Sequence, residues 1–283
     1  MPELPEVERY RRYLRESVLD QPIRKVEAFN EGRMLPGGLE RLQQVMEGQR
    51  LTHFDRIGKY LFPHLDNGTV MLWHFGMSGR PVFYHESADI PKYERIRFSF
   101  DDGYRLAFSS LRKFSRLEVG ESVAAFQQAK KLGQDAMEIS QEDFVTALSR
   151  KKTRIKPALL EQKHFAGVGN WIADEMLFQA NIHPEVRCQE VGELGLRHLY
   201  LAMQEILQTA ISHEADYNTF PKHFMVISRW GEAEGCPRCG GELTKLVVGG
   251  RGTYICETCL ASTIDFHQNQ HQSREGTNDH RHR

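Results

Sequence analysis

The chain has 283 residues, of which 40% are hydrophobic and 27% charged, and its formal net charge is −1. That length suits two domains with ample cores, plus a small module. The balance of charge excludes bulk electrostatic attraction to nucleic acid, so any anionic partner must meet a local basic surface. No apolar run approaches membrane-spanning length, and the acidic start Met1-Pro2-Glu3-Leu4-Pro5-Glu6 is not a signal peptide.

Pro2 opens the chain behind a removable Met1. Free of Met1, its secondary α-amine would be a nucleophile at neutral pH, since an α-amine titrates near ~8 against ~10.4 for lysine. Attack on an aldehyde carbon would give an iminium ion, which makes elimination easy. Glu3 and Glu6 stand beside it as acid or base. The same residues also read as an ordinary helix start with Pro5 in its first turn.

Val7, Tyr10, Leu14 and Val18 recur at helical spacing, with arginines on the other faces. Strand-like runs follow at Ile23–Phe29, Leu51–Asp55, Tyr60–Leu65, Thr69–Phe75, Arg95–Phe100 and Tyr104–Ser109, interrupted by a short helix at Leu39–Met46. Short strands with Gly and Asn turns predict a β-sandwich or barrel over about residues 1–120. Lys59 lies at a strand start. Met77 sits between glycines on a turn, where an unbranched apolar side chain suits a wedge or a core position. Arg112 and Phe114 place a cation and an aromatic two apart on a loop.

From Ser122 the pattern is helical, with helices expected at Val123–Lys131, Glu142–Lys152 and Leu194–Ala210. The run Arg150 to Lys156 holds five basic residues in seven. It reads as a solvated patch or as a phosphate-facing one that includes Lys156. Ala166-Gly167-Val168-Gly169-Asn170 then forms two tight turns between helices, with Asn170 expected to cap the second helix.

Cys236-Pro-Arg-Cys239 and Cys256-Glu-Thr-Cys259 are separated by 16 residues. Two such knuckles make a closed four-thiolate zinc site that holds structure and does no chemistry. The insert reads as a hairpin with Arg251 at a glycine-rich tip, held towards something anionic. Cys188 is left alone, a pattern of a reducing compartment. The tail after residue 263 is polar and reads as disordered.

Together these motifs resemble the formamidopyrimidine-DNA glycosylase / endonuclease VIII family over about residues 1–262. The resemblance implies an α+β protein: an N-terminal β-sandwich with a leading helix (1–120), a helix–two-turns–helix domain (121–229), a zinc-ribbon hairpin (230–263) and the tail (264–283). It implies a bifunctional DNA glycosylase/AP lyase of base-excision repair that acts through a Pro2 Schiff base and β,δ-elimination. Glu3 would be general acid/base. Lys59, Asn170 and Arg251 would hold phosphates, and Met77, Arg112 and Phe114 would fill the space left by the extruded base. One structural Zn2+, a damaged or abasic duplex as partner, a monomeric state and a cytoplasmic, nucleoid-associated, bacterial-type setting complete the expectation. A zinc-ribbon DNA-binding protein without catalysis is the alternative; the joint presence of Pro2, Glu3 and Lys59 argues against it.

Two departures from the family pattern stand out. Ser109-Ser110-Leu111-Arg112-Lys113-Phe114-Ser115 replaces an Asp-Pro-Arg-Arg-Phe-Gly run. The stretch Ile211 to Phe224 is short and lacks the glycines of a loop that closes over a flipped 8-oxoguanine.

Overall fold

The computed structural model describes residues 1–229 and 235–261. The expected tail, and the residues that lead into the first cysteine knuckle, lie outside the described residues. The chain divides into two compact units, Met1–Glu138 with Glu161–Val168, and Ile139–Leu160 with Gly169–Arg283.

The first unit begins with α1 (Leu4–Ser17), whose Val7 and Leu14 are buried in the core, with Val18 just past its end. Two antiparallel four-stranded sheets follow. One is ordered β1-β6-β7-β5, from β1 (Ile23–Ala28), β5 (Gly79–His85), β6 (Glu94–Phe100) and β7 (Tyr104–Ser110). The other is ordered β2-β3-β4-β8, from β2 (Leu51–Ile57), β3 (Tyr60–Leu65), β4 (Val70–His74) and β8 (Arg116–Gly120). Their inner faces share one core: Trp73 of β4 stacks on Phe98 of β6 at 5.6 Å and meets Phe108 of β7 edge-on. This is the expected sandwich. α2 (Gly38–Met46) covers one part of the core through Leu42, Val45 and Met46.

Within these two sheets, two strands escaped the sequence reading, and both are sheet edges. β5 carries Pro81, which cannot donate to a ladder and is tolerated only where one side is unpaired. β8 is short and charged at Arg116 and Glu118, as edges tend to be. α3 (Val123–Lys130) packs with these sheets rather than with later helices, because Phe126 joins Phe62, Val70 and Leu72. A two-residue parallel pair, β9 (Gln134–Asp135) with β10 (Phe165–Ala166), ties residues 161–168 into this unit.

The second unit holds α4 (Gln141–Ser149), α5 (Ile155–Leu159), α6 (Asn170–Gln179), α7 (Gly192–Ser212) and α8 (Met225–Arg229), then the hairpin β11 (Thr244–Val248) and β12 (Arg251–Ile255). α6 is buried from Trp171 to Phe178 on every side, including Asp174 and Glu175. A helix buried all round shows no amphipathic stripe. Its two carboxylates are matched internally: Glu175 accepts from the backbone N–H groups of Met225 and Val226, and Asp174 from Arg229. No helix among the described residues is long and apolar enough to cross a membrane.

Candidate DNA-repair site

The first unit gathers the N-terminal residues and Lys59 on one stretch of backbone. Glu3 is the N-cap of α1, and Glu3 and Glu6 form a reciprocal capping box in which the Glu3 N–H donates to Glu6 Oε2 at 3.0 Å. The Leu4 N–H points to Gly167 O at 3.4 Å. Gly167 has φ +113°, and a Cβ there would lie 2.5 Å from Leu4 Cδ1. Gly58 has φ +57°, and a Cβ there would lie 2.5 Å from Gly167 N. Only glycine permits both approaches. Next to them, the Lys59 ammonium donates to Val168 O at 3.0 Å and is 8% exposed.

The turn that carries Lys59 is locked from below. Asp135 Oδ2 accepts from the Gly58 N–H at 2.6 Å and from Arg56 at 2.6 Å, while Arg56 also reaches Glu8 Oε2 at 3.0 Å and Gly58 O at 3.2 Å. Sequence reasoning missed this knot. Its hydrogen-bonded partners are up to 79 positions apart, and nothing local marks Asp135.

Burial and the neighbouring Glu3 carboxylate push Glu6 up to about 7. His74 was also missed as a site residue. Burial pushes it down to about 4, with Lys59, Lys130 and Arg116 adding to the effect, so the ring is neutral at physiological pH. Its Nδ1 accepts from the Gly76 N–H, which leaves the proton on Nε2.

Two loops stand beside His74. Met77, Arg112 and Phe114 are all exposed there, and the Arg112 guanidinium lies over the Phe114 ring at 5.3 Å.

The second unit brings Lys156 and Asn170 to one carbonyl, that of Gly252, next in the chain to Arg251. Gly252 O accepts from Asn170 Nδ2 at 2.9 Å and from Lys156 Nζ at 3.1 Å. The hairpin turns on Gly249 and Gly250, both at positive φ, so the turn is tighter than the four-residue tip the sequence suggested. Arg251 opens the returning strand opposite Val248 and is exposed. A Cβ on Gly249 would lie 2.8 Å from Pro157 Cγ, so the turn rests against α5.

Two expectations need correction. Asn170 does not cap α6; Gly169 holds the N-cap position, and the Asn170 side chain is turned to the hairpin backbone instead. Lys156 is not a phosphate contact. It is 0% exposed, 2.5 Å from Asp174 Oδ1, and bonded to Thr253 Oγ1 at 2.6 Å. The basic run turns inward at Ile155, where α5 begins, so its last lysine lands in the core. Burial raises the Asp174 carboxyl, against the pull of Lys156 and Arg229. Arg150, Lys152 and Arg154 remain exposed, and Lys152, Arg154 and Arg187 line an open cleft of about 530 Å³ next to Gly249.

Cys236, Cys239, Cys256 and Cys259 bring their sulfurs within 4.8 Å of one another, with 3.8 Å between Cys236 and Cys259 and 3.4 Å between Cys239 and Cys256. A disulfide needs about 2.05 Å. Tetrahedral zinc with bonds of about 2.3 Å spaces its sulfurs at roughly 3.8 Å. The donor set therefore fits zinc. The knuckles are moored to α6: Arg238 lies over Phe178 at 4.5 Å and donates to its carbonyl, and Asn181 donates to Cys259 O.

These parts define a class: a two-unit protein with a β-sandwich capped by its first helix, a helical unit, and a four-cysteine zinc ribbon whose returning strand opens on an exposed arginine. Three family models match in succession: the formamidopyrimidine-DNA glycosylase N-terminal domain over residues 1–117, the H2TH domain of the same enzymes over 132–221, and a zinc finger found in FPG and IleRS over 234–261. A formamidopyrimidine-DNA glycosylase of Halalkalibacterium halodurans is 33% identical, covering 92% of this chain and 99% of the relative. One from Heliobacterium modesticaldum is 35% identical with the same coverage. Among solved structures, the Lactococcus lactis Fpg in complex with abasic-site DNA superposes with a TM-score of 0.83 at 31% identity, covering 91% of this chain and 99% of that one. The chain belongs to the formamidopyrimidine-DNA glycosylase family. The fold, the enzyme class and the zinc-ligating set that the motifs implied all stand.

Two predictions arise from these buried charges. Lys156→Met should leave Asp174 short of a partner and cost about 3–5 kcal/mol, read as a lower midpoint in denaturant unfolding; an unchanged midpoint would contradict the buried role. Glu6→Gln should change the pH dependence of stability. Glu6 is raised in the folded state, so folding holds its proton and the buried charge is a cost that grows between the unfolded value of 4.5 and about 7. Wild type should therefore lose stability relative to Glu6→Gln by on the order of 2–3 kcal/mol from pH 5 to pH 8. Parallel curves for the two proteins over that range would refute the assignment.

Proposed function

We propose that this protein is a bifunctional DNA glycosylase/AP lyase of base-excision repair whose nucleophile is the Pro2 amine. The observation that supports this reading is the convergence of the α1 start, two residues after Pro2, and the Lys59 turn on Gly167–Val168. Pro2 attacks C1′ of the damaged nucleotide, the base departs, and the iminium ion acts as electron sink for elimination on both sides of the sugar. Glu3 moves protons at the sugar ring, and the half-protonated Glu6 beside it is suited to relay them. Lys59, Asn170 and Arg251 hold phosphates. The neutral His74, with its proton on Nε2, adds a donor next to the Met77 loop. Met77, Arg112 and Phe114 occupy the gap left by the extruded base. The zinc, when bound, supplies no chemistry; the cysteines keep the strand that bears Arg251 rigid. A monomer in a cytoplasmic, nucleoid-associated setting is the corresponding state in the cell.

Pro2 can act only after Met1 is removed, because its nitrogen is otherwise an amide. Active enzyme should lack Met1 by mass spectrometry and be trapped covalently by borohydride on abasic DNA. Full lyase activity in a homogeneous Met1-retaining preparation would sink the mechanism.

The segment 213–224 bears on the substrate. It is pinned down by rings: Tyr217 meets Trp171 of α6 at 5.8 Å, and Phe220 meets Tyr217 at 5.3 Å and Phe224 at 5.6 Å. A short turn held by four aromatics is not free to close over a flipped purine. 8-Oxoguanine differs from guanine by a few atoms and needs such contacts, whereas ring-opened purines and oxidised pyrimidines stack poorly and are selected by extrusion itself. Single-turnover excision on matched duplexes should rank ring-opened purines, oxidised pyrimidines and abasic sites above 8-oxoguanine. A fastest rate on 8-oxoguanine opposite cytosine would overturn this preference.

A further inference from the structure

Phe75–Gly79 and Ser110–Ser115 are fastened into one rigid base. A Cβ on Gly76 would lie 2.5 Å from the Phe114 carbonyl carbon, and one on Gly79 would lie 2.5 Å from Ser115 Oγ. Ser115 Oγ donates to Phe75 O at 2.9 Å and lies 3.0 Å from Ser110 Oγ, both serines being buried. The Arg112 N–H donates to Ser78 Oγ at 3.0 Å, and Arg95 Nε donates to Ser110 O at 3.0 Å. Three large apolar side chains stand exposed on this base: Met77 at 41%, Leu111 at 53% and Phe114 at 57%. Met77 and Phe114 have a role in the function proposed above. Leu111 has none, yet it is more exposed than Met77 and directly precedes the Arg112 N–H that bolts the two loops together.

We propose that Leu111 is a further wedge residue, which enters the base stack beside the lesion and contacts the partner base. This rests on the reading that the loops meet a damaged duplex. The resemblance drawn from the sequence puts a proline where Leu111 stands. Proline has a compact ring closed onto its own backbone and a fixed φ. Leucine projects a branched apolar end from a backbone that is anchored on both sides. An apolar wedge of this kind unstacks a base step and props the duplex open. It has no donor or acceptor, so it supports the partner base without reading it. Leu111 should therefore make excision tolerant of the base opposite the lesion.

The test uses the full-length, Met1-processed enzyme and duplexes with a tetrahydrofuran abasic analogue opposite 2-aminopurine. Wild type should raise 2-aminopurine emission on binding, and Leu111→Ala should lose at least about half of that rise and about tenfold in duplex affinity, the size of one lost buried leucine contact. Leu111→Pro should widen the spread of excision rates across the four opposite bases. An exposed side chain is not needed for folding, and thermal unfolding of each variant checks that. Unchanged emission and duplex affinity in Leu111→Ala would overturn the proposal. If wild type itself is not trapped by borohydride on abasic DNA, the enzymatic reading fails; if wild type is trapped and Leu111→Ala behaves like it, only the wedge fails.

Discussion

The first unit of this protein depends on the absence of two β-carbons. Gly58 and Gly167 approach so closely that a methyl group on either would lie 2.5 Å from an atom of the other segment or of Leu4. Because they can touch, the first turn of α1 and the turn before β3 lie on the same strand of backbone, and Lys59 can bond Val168 O. The Arg56–Asp135–Glu8 knot then holds that turn from the core side. The first residues of a chain ordinarily fray. Here the capping box and the Leu4 contact hold the backbone to within two residues of Pro2.

The second unit solves a similar problem with charge. Arg251 must stand on a small hairpin with little core of its own. The zinc cysteines fix one end of that hairpin, and the Gly252 carbonyl, held by both Lys156 and Asn170, fixes the other. Lys156 is neutralised by Asp174, which is shared with Arg229. Buried ion pairs add little net stability over apolar substitutes. This one ties a carboxylate of α6, through Lys156, to the strand that carries the exposed cation.

In the first unit, two loops are bolted together through Ser78, Ser110 and Ser115, with apolar tips outward. In the second, the turn before α8 is packed by aromatics around Phe220.

The sequence by itself determined what depends on local chemistry. The cysteine spacing defined the zinc site, the family motifs defined the enzyme class, and periodicity placed most strands and the long helix α7 within a few residues. It did not determine what depends on the far partner. β5 and β8 were missed because an edge strand needs only one neighbour and can carry Pro81 or alternating charge. Lys156 read as a phosphate contact because it closes a basic run, and only the packing of α5 against α6 and the hairpin shows it buried at Asp174. Asn170 read as a cap because it follows glycine, yet the carbonyl that takes its side chain comes from 82 positions later. Asp135 gained its place under the Gly58 turn the same way. Spacing along the chain reports ligands for one ion or one helix turn; burial and long-range pairing are properties of the packed chain, and only the tertiary structure decides them.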